Sequence, residues 1–249
     1  MITLTGHGAL AEAYARLNPE CYVHSFRTLK DDEMEGILKN TTVLIHNSAG
    51  LKKEDAESNL MLTKKIVYAV IRHNPQIKFL YIGSMSYLNE HGYKHESRMG
   101  AYAYSKFIGE KFAQAVVPQI RIIRFSSLFY RDPERDGLSY MINDAVFKHK
   151  IVLLNGGVQT RDWLPIDVAA EEMHRVITRY SEPVTTVASG RVETFFSIAK
   201  MIQKQTACAI EFNKSPVVQS NNVLSKFEKT VEVAIEAEIK SYIKQLKAK

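Results

Sequence analysis

The chain opens Met1-Ile2-Thr3-Leu4-Thr5-Gly6-His7-Gly8-Ala9-Leu10-Ala11-Glu12-Ala13-Tyr14-Ala15-Arg16-Leu17, and the reading of this stretch decides the fold. A short apolar run ends in Thr5-Gly6-His7-Gly8, after which Leu10, Ala13, Tyr14 and Leu17 recur at helical spacing until Pro19. The order is strand, glycine turn, helix. Gly6, Gly8 and Ala11 match the pattern GxGxx(G/A): one glycine makes the tight turn, the next lets a pyrophosphate approach the backbone, and the small third residue lets helix and strand pack closely. The helix N-terminus then faces the phosphates. Such a pattern is weak alone, and its place between a first strand and a first helix gives it weight.

Working outward, the spacing predicts strands at Tyr22 to Phe26, Thr42 to His46, Lys78 to Ile82 and Ile120 to Phe125. Between them come a polar stretch after Phe26, a helix from about Asn59 to Arg72, and a helix from Tyr102 to Val116 stopped by Pro118. Near-continuous apolar strands alternating with helices imply an α/β chain with a doubly wound parallel sheet, the Rossmann fold. Beyond Phe129 the rhythm changes to a charged loop, a helix near Leu138 to His149, a strand at Ile151 to Leu154 and a Gly156-Gly157 turn. The expected division is a dinucleotide-binding domain over 1–130 and a small, abbreviated C-terminal substrate lobe over 131–249, with elements returning to the first domain. Ile235, Ile239, Tyr242, Ile243 and Leu246 lie on one stripe of a closing helix that should dock.

Composition is that of an average globular protein: 249 residues, 45% hydrophobic and 24% charged, enough to bury a sizeable core. No apolar run approaches a membrane helix and the start resembles no leader, so no membrane is expected and the expected location is cytoplasmic. Two cysteines, Cys21 and Cys208, make no disulfide framework, and the histidines show no metal-ligand spacing, so no metal is expected. The net charge is +6, and residues 61–150 carry 14 basic against 7 acidic side chains. A polyanionic cofactor and substrate explain this belt better than nucleic acid does, with a plain solvated surface as the alternative.

Two further features bear on chemistry. The second strand ends Ser25-Phe26-Arg27 with no carboxylate before Asp31, which places Ser25 and Arg27 to receive a 2'-phosphate and favours NADP over NAD; the other reading of Arg27 is a loop cation. Tyr102 and Lys106, four apart at the start of a helix, share one face, near the strand end that carries Gly83-Ser84-Met85-Ser86. With 12 tyrosines in the chain such a pair arises by chance, so its placement carries the argument. Ile108, Phe112, Ala115 and Val116 read as the apolar stripe of that helix.

The order of these motifs resembles the extended branch of the short-chain dehydrogenase/reductase superfamily, the nucleotide-sugar epimerases, dehydratases and reductases. TGHGALA looks like the cofactor turn, VLIHNSAG like the fourth-strand segment beside the adenine, and Asn59 like the asparagine that opens the next helix. YIGSMSYL looks like the catalytic serine strand, YAYSKFIGEKFA like the Tyr/Lys helix, IRIIRFSSLFYRD like the strand after it, TRDWLPIDVA like the RDxxxVxDVA signature, and TTVASGRVETFFSIAKMI like the later strand, turn and helix. The resemblance implies that Gly6, His7, Gly8, Ala9 and Leu10, with Ser25, Arg27, Asn47, Ser48 and Ala49, hold the dinucleotide, together with Tyr102 and Lys106. Tyr102 is the implied general acid/base, Lys106 lowers its pKa and holds the nicotinamide ribose, and Ser84 hydrogen-bonds the substrate carbonyl or hydroxyl. A phenol that titrates near 10 is a poor base at neutral pH without a cation beside it.

For a nucleotide-sugar substrate the implied contacts are Ser84, Ser86, Ser127 and Arg161, where Ser86 also reads as a surface serine and Arg161 as a partner for Asp162 or Asp167. Asp167 reads as a helix N-cap. A homodimer is expected by resemblance, since many members pair through two helices of each subunit. The chain departs from the family in its shortened glycine motif, in Ser126-Ser127 where an asparagine is usual, and in lacking an acid pair after the serine strand, which weighs against a dehydratase. Glu90 and Glu96 are the loop carboxylates available for that role, with solvated surface as the default. The residues alone leave open a non-catalytic, NADP-binding sensor or scaffold.

Overall fold

The computed structural model describes residues 1–50, 52–89, 92–216 and 229–248, with Lys53 described in its backbone only. Glu90 and His91 lie outside the described residues. In chain order the elements are β1 (Ile2–Leu4), α1 (Ala9–Leu17), β2 (Tyr22–Val23), α2 (Asp31–Lys39), β3 (Val43–His46), α3 (Ala56–His73), β4 (Lys78–Ile82), β5 (Leu88–Asn89), β6 (Gly92–Tyr93), α4 (Ala101–Val116) and β7 (Ile120–Phe125). There follow β8 (Ser127–Phe129), α5 (Gly137–Phe147), β9 (Lys150–Leu154), β10 (Thr160–Pro165), α6 (Ile166–Thr178), β11 (Val184–Ala188), β12 (Val192–Thr194), α7 (Phe195–Thr206), β13 (Ala209–Asn213), β14 (Lys229–Thr230) and α8 (Ile235–Lys247).

Two compact units divide the chain. The first holds Met1–Phe125 and Asp167–Val187. Its strands run parallel in the order β2-β1-β3-β4-β7-β11, with Leu4 opposite Ile45, Ile45 opposite Leu80, and Ile82 opposite Ile123. The order reverses at β1, so a crevice opens at the carboxyl ends of β1 and β3, where open parallel sheets bind ligands. Leu44, Phe79, Tyr81, Ile120 and Ile122 pack with Leu62, Ile66, Val67 and Val70 of α3 and Met34 and Leu38 of α2 in one core. The alternate strand positions Ile45, Leu80, Ile82 and Ile123 are buried as well, as a sheet covered on both faces requires. Tyr14 of α1 meets His174 of α6 at 3.3 Å, and Arg16 pairs with Asp167 at 2.9 Å.

Four local expectations change. The polar stretch after Phe26 contains α2, whose first turn carries Asp31, Asp32 and Glu33 and whose last turn carries Lys39, the charge order that a helix dipole favours; Glu33 accepts from the Lys30 N–H at 2.7 Å. On α4 the buried stripe is Ala103, Lys106, Gly109, Glu110 and Ala113, whereas Ala115 is exposed and Ile108, Phe112 and Val116 are half-buried. Small residues there let the helix approach closely, and Glu110 is buried among the partners Arg124, Tyr87 and Tyr93. Asp167 is the second residue of α6 rather than its N-cap, and Asn59 lies one turn inside α3, where its amide clamps the Gly50 N–H and carbonyl at 2.7 and 2.9 Å.

The second unit comprises the described residues of 126–166, 188–216 and 229–248. Here β8 pairs parallel with β10, β10 antiparallel with β12, and β9 parallel with β13. Helices α5, α7 and α8 pack on one another, and the α8 stripe Ile235, Ile239, Tyr242, Ile243 and Leu246 is buried, with Tyr242 edge-on to Phe129 at 5.8 Å. Asp162 of β10 is 2% exposed and its carboxylate accepts from the Ser189 N–H, the Ser189 hydroxyl and the Gly190 N–H at 2.9, 3.1 and 2.7 Å.

Candidate active site

The glycine turn is built by the strand beside it. Asn47, just past β3, accepts from the Thr5 N–H at 3.2 Å and donates to the Gly6 carbonyl at 3.0 Å, while the Ser48 hydroxyl donates to the Thr5 carbonyl at 2.5 Å. A Cβ on Gly6 would stand 2.3 Å from the Ser48 oxygen, so this glycine is required for close approach. Gly8 is different: a Cβ there would meet nothing within 4 Å. It is the N-cap of α1 with no side-chain cap, which leaves the first-turn amides to an outside acceptor. His7 is exposed, Ala9 is half-buried and the Leu10 side chain joins the core.

Beneath the turn lies His46, whose ring nitrogens meet the Thr5 and Thr63 hydroxyls, each at 2.9 Å. Burial, and secondarily the charge of Lys106, pushes its pKa down to about 3, so the ring is neutral. Past β2, Ser25 and Arg27 are exposed, and Arg27 donates to the Ser58 hydroxyl at 3.1 Å. Lys65 braces the same loop from below, donating to the carbonyls of Phe26 and Leu29. Asp31 is drawn off to Arg72 at 2.7 Å.

Ser84, Tyr102 and Lys106 assemble at the carboxyl end of β4. Burial pushes the Tyr102 phenol up to about 12, and the neighbouring Ser84 pulls the other way. Lys106 is buried; desolvation brings its pKa down to about 8, opposed by the charge of Glu110. Its ammonium lies 4.5 Å from the Tyr81 ring centroid and has no hydrogen-bond partner among the described residues. Ser84 and Ser86 share a hydroxyl contact at 2.8 Å, and the Ser84 oxygen also accepts from the Ser86 N–H at 3.1 Å.

Three residues behind this turn escaped the sequence reading. Glu110 of α4, fully buried, forms a two-pronged pair with Arg124 of β7 at 2.5 and 3.0 Å and accepts from the Tyr87 hydroxyl. Burial alone would lower the Arg124 pKa, but hydrogen bonds and charge from Glu110 outweigh it and hold the guanidinium above its ordinary value. A signal was available: Glu110 continues the Tyr102, Lys106 face by one more step of four, and Arg124 interrupts a strand expected to be buried on both faces.

In the second unit, Ser127 is half-buried in β8, paired with Trp163. Arg161 donates to the Thr160 carbonyl at 2.8 Å and lies 5.7 Å from the Phe195 ring centroid, with burial lowering its pKa. Among the described residues no cluster of His, Cys, Asp and Glu could hold a metal, and no helix is long and apolar enough to cross a membrane.

The open face of Gly8, the uncapped amides of α1 and the buried, unbonded ammonium of Lys106 leave donors for an anion and for hydroxyl groups, so the residues fit a dinucleotide. No curated protein matches the chain. Among solved structures it is similar to the dTDP-glucose 4,6-dehydratase of Bacillus anthracis in complex with NAD, with TM-score 0.80 and 15% identity over 100% of this chain and 97% of that one. The UDP-glucose 4-epimerase of Thermotoga maritima with UDP-glucose gives TM-score 0.79 and 14% identity over 100% and 99%. A GDP-L-fucose synthetase of Naegleria fowleri bound to NADP gives 0.74 and 15% over 99% and 92%. At these identities the likeness is one of fold. The profile of the NAD dependent epimerase/dehydratase family matches residues 9–188, from the first residue of α1 through the serine turn and the Tyr/Lys helix to the end of β11, and the chain therefore belongs to that family.

Proposed function

We propose that the chain is an enzyme that reduces or epimerises a nucleotide-activated keto-sugar by hydride transfer, with NADP as the preferred cofactor, in the cytoplasm. The observation that carries the reading is the trio at the end of β4: Ser84 two residues past the strand, Tyr102 in the first turn of α4, and one helical turn on the buried Lys106, whose ammonium lies 4.5 Å from the Tyr81 ring centroid of β4. When bound, the nicotinamide dinucleotide supplies and accepts the hydride. Gly6, His7, Gly8, Ala9 and Leu10 offer backbone amides to its phosphates, and the Asn47 to Ala49 segment flanks the turn. Lys106 holds the ribose hydroxyls and, charged below about pH 8, favours the phenolate of Tyr102. Tyr102 passes a proton to or from the sugar oxygen, and Ser84 donates to the same oxygen. Such a base needs help, since burial leaves its pKa at about 12 even against the pull of Ser84. Ser25 and the exposed Arg27, with Asp31 engaged elsewhere, support a 2'-phosphate. Ser86, Ser127 and Arg161 are offered as contacts to the sugar nucleotide.

The test is a titration with NADP and NAD followed by assay against UDP-, dTDP- and GDP-linked 4-keto-sugars and the parent sugars. Tyr102→Phe should lower turnover by about 10³-fold or more while cofactor affinity stays within about twofold. Cofactor binding with no turnover of any substrate in the panel overturns the enzymatic reading in favour of a sensor, and tighter binding of NAD overturns the role of Arg27.

A further inference from the structure

The serine turn is held from behind by groups that the chemistry above does not use. The Ser84 N–H donates to the Tyr87 hydroxyl oxygen at 3.0 Å, and that hydroxyl donates its single proton to Glu110 Oε2. Glu110 in turn is gripped by Arg124, through Nε to Oε2 and Nη2 to Oε1. Tyr93 closes the network: its hydroxyl donates to Glu110 Oε1 at 3.1 Å and accepts from Arg124 at 2.5 Å and Lys111 at 2.9 Å. The network lies flush against Gly83, where a Cβ would stand 2.7 Å from the Tyr87 oxygen and 2.9 Å from both Arg124 Cγ and Glu110 Oε2.

The direction of this chain of bonds follows from its end. An ionised carboxylate accepts only, so Tyr87 must point its proton at Glu110, and its lone pairs are left for the Ser84 N–H. Arg124 grips both oxygens of the carboxylate, and Glu110 is fully buried. A buried ion pair is weak evidence for stability, since an apolar pair of the same volume does as well or better. Its geometry here is directed at one peptide N–H, that of Ser84.

We propose that Glu110 and Arg124 are positioning residues of the same site: through the Tyr87 hydroxyl they orient the Ser84 peptide so that the Ser84 side chain meets Tyr102. The catalytic consequence rests on the reading of Ser84 and Tyr102 given above; the orientation of the turn does not, and it is measured separately. Glu110→Gln is the sharpest variant, because it keeps the shape and places an amide that can donate to the Tyr87 oxygen, in competition with the Ser84 N–H. Tyr87→Phe removes the hydroxyl and leaves the ring, and it serves where the unpaired Arg124 of Glu110→Gln prevents folding.

Two readouts test the proposal in the full chain. Amide hydrogen exchange over residues 83–86 should quicken by about tenfold in both variants, the loss of one buried hydrogen bond, with α3 unchanged. In the nucleotide-sugar panel, kcat should fall by about tenfold with KM within about twofold, and Tyr87→Phe should have no further effect on kcat in a Ser84→Ala background. Unchanged exchange at 83–86 in a folded Tyr87→Phe chain overturns the positioning role. A kcat loss that persists in full in the Ser84→Ala background overturns the route through Ser84. Full turnover by Ser84→Ala instead sinks the catalytic reading of that serine, an outcome that the exchange data distinguish from failure of the latch.

Discussion

Two turns at the carboxyl ends of β1 and β4 face the same chemical problem and meet it with different materials. Each has a glycine with a partner's oxygen pressed against its Cα: Ser48 Oγ at 2.3 Å from a Cβ on Gly6, and the Tyr87 hydroxyl at 2.7 Å from a Cβ on Gly83. The glycine turn is latched by neutral groups, Asn47 and Ser48, from the adjacent strand. The serine turn is latched by a buried carboxylate and guanidinium from a helix and a strand, acting through a tyrosine. Removing part of a neutral latch forfeits a hydrogen bond, whereas removing half of an ionic one strands a charge.

The largest expected effect follows directly. Glu110→Ala leaves Arg124 buried without its counter-charge and should cost about 3–5 kcal/mol in urea unfolding, while Asn47→Ala should cost about 1–2 kcal/mol. Equal losses at the two positions would remove the distinction between the latches.

Acid should separate them next, through His46. Its folded pKa of about 3 lies below the ordinary 6.5, so between those values the unfolded chain takes up a proton that the folded chain refuses. The contribution is complete above pH 6.5 and is lost as pH falls toward 3, with a slope of about 1.4 kcal/mol per pH unit. Measured between pH 6 and 4, unfolding free energy should therefore fall more steeply in the unchanged chain than in His46→Gln, by about one proton's worth. At pH 5 the difference should be about 2 kcal/mol. Parallel curves would mean that the Thr5–His46–Thr63 bridge does not hold a neutral ring.

How much of this could be read beforehand depended on what kind of face each segment buries. Strand β4 and the α8 stripe were legible because their buried residues form a continuous apolar run and a helical stripe, and β7 because Arg124 is the single charge among otherwise apolar buried residues. Helix α2 was hidden because only Met34 and Leu38 of its nine residues are buried, too few to set a rhythm among the acids. On α4 the rhythm misled, since the face that is buried carries Lys106 and Glu110 and the apolar side chains line its half-buried flank. The trio Ser84, Tyr102 and Lys106 could be located from spacing and order. The pairing of Glu110 with Arg124 could not, because it joins a helix to a strand 14 residues on and leaves no local pattern.

The glycine contact offers a finer comparison. Gly6→Ala should cost about 1–3 kcal/mol, since the new methyl meets Ser48 Oγ at 2.3 Å. Adding Ser48→Ala removes that oxygen and leaves the Ser48 Cβ at 3.2 Å, so the pair should recover about half of the loss. Gly83→Ala has no such rescue in Tyr87→Phe, because Arg124 Cγ and Glu110 Oε2 both remain at 2.9 Å. Recovery at both glycines would show the second latch to be as yielding as the first.

The smallest effect isolates what burial contributes to an ion pair. Arg16 and Asp167 meet at 2.9 Å, comparable to Arg124 and Glu110, yet their side chains are 62% and 41% exposed against 9% and 0%. In water the attraction of the exposed pair is offset by the entropy of holding two long side chains and is screened by salt, so Arg16→Gln should change unfolding free energy by no more than about 0.5 kcal/mol, and by less at about 0.5 M salt. The Arg124 pair is buried, so salt screens it little, and the loss in Glu110→Ala should be the same at both salt concentrations. A salt-sensitive Glu110→Ala would mean that solvent reaches the guanidinium, and the serine turn would then be latched no more firmly than the surface pair.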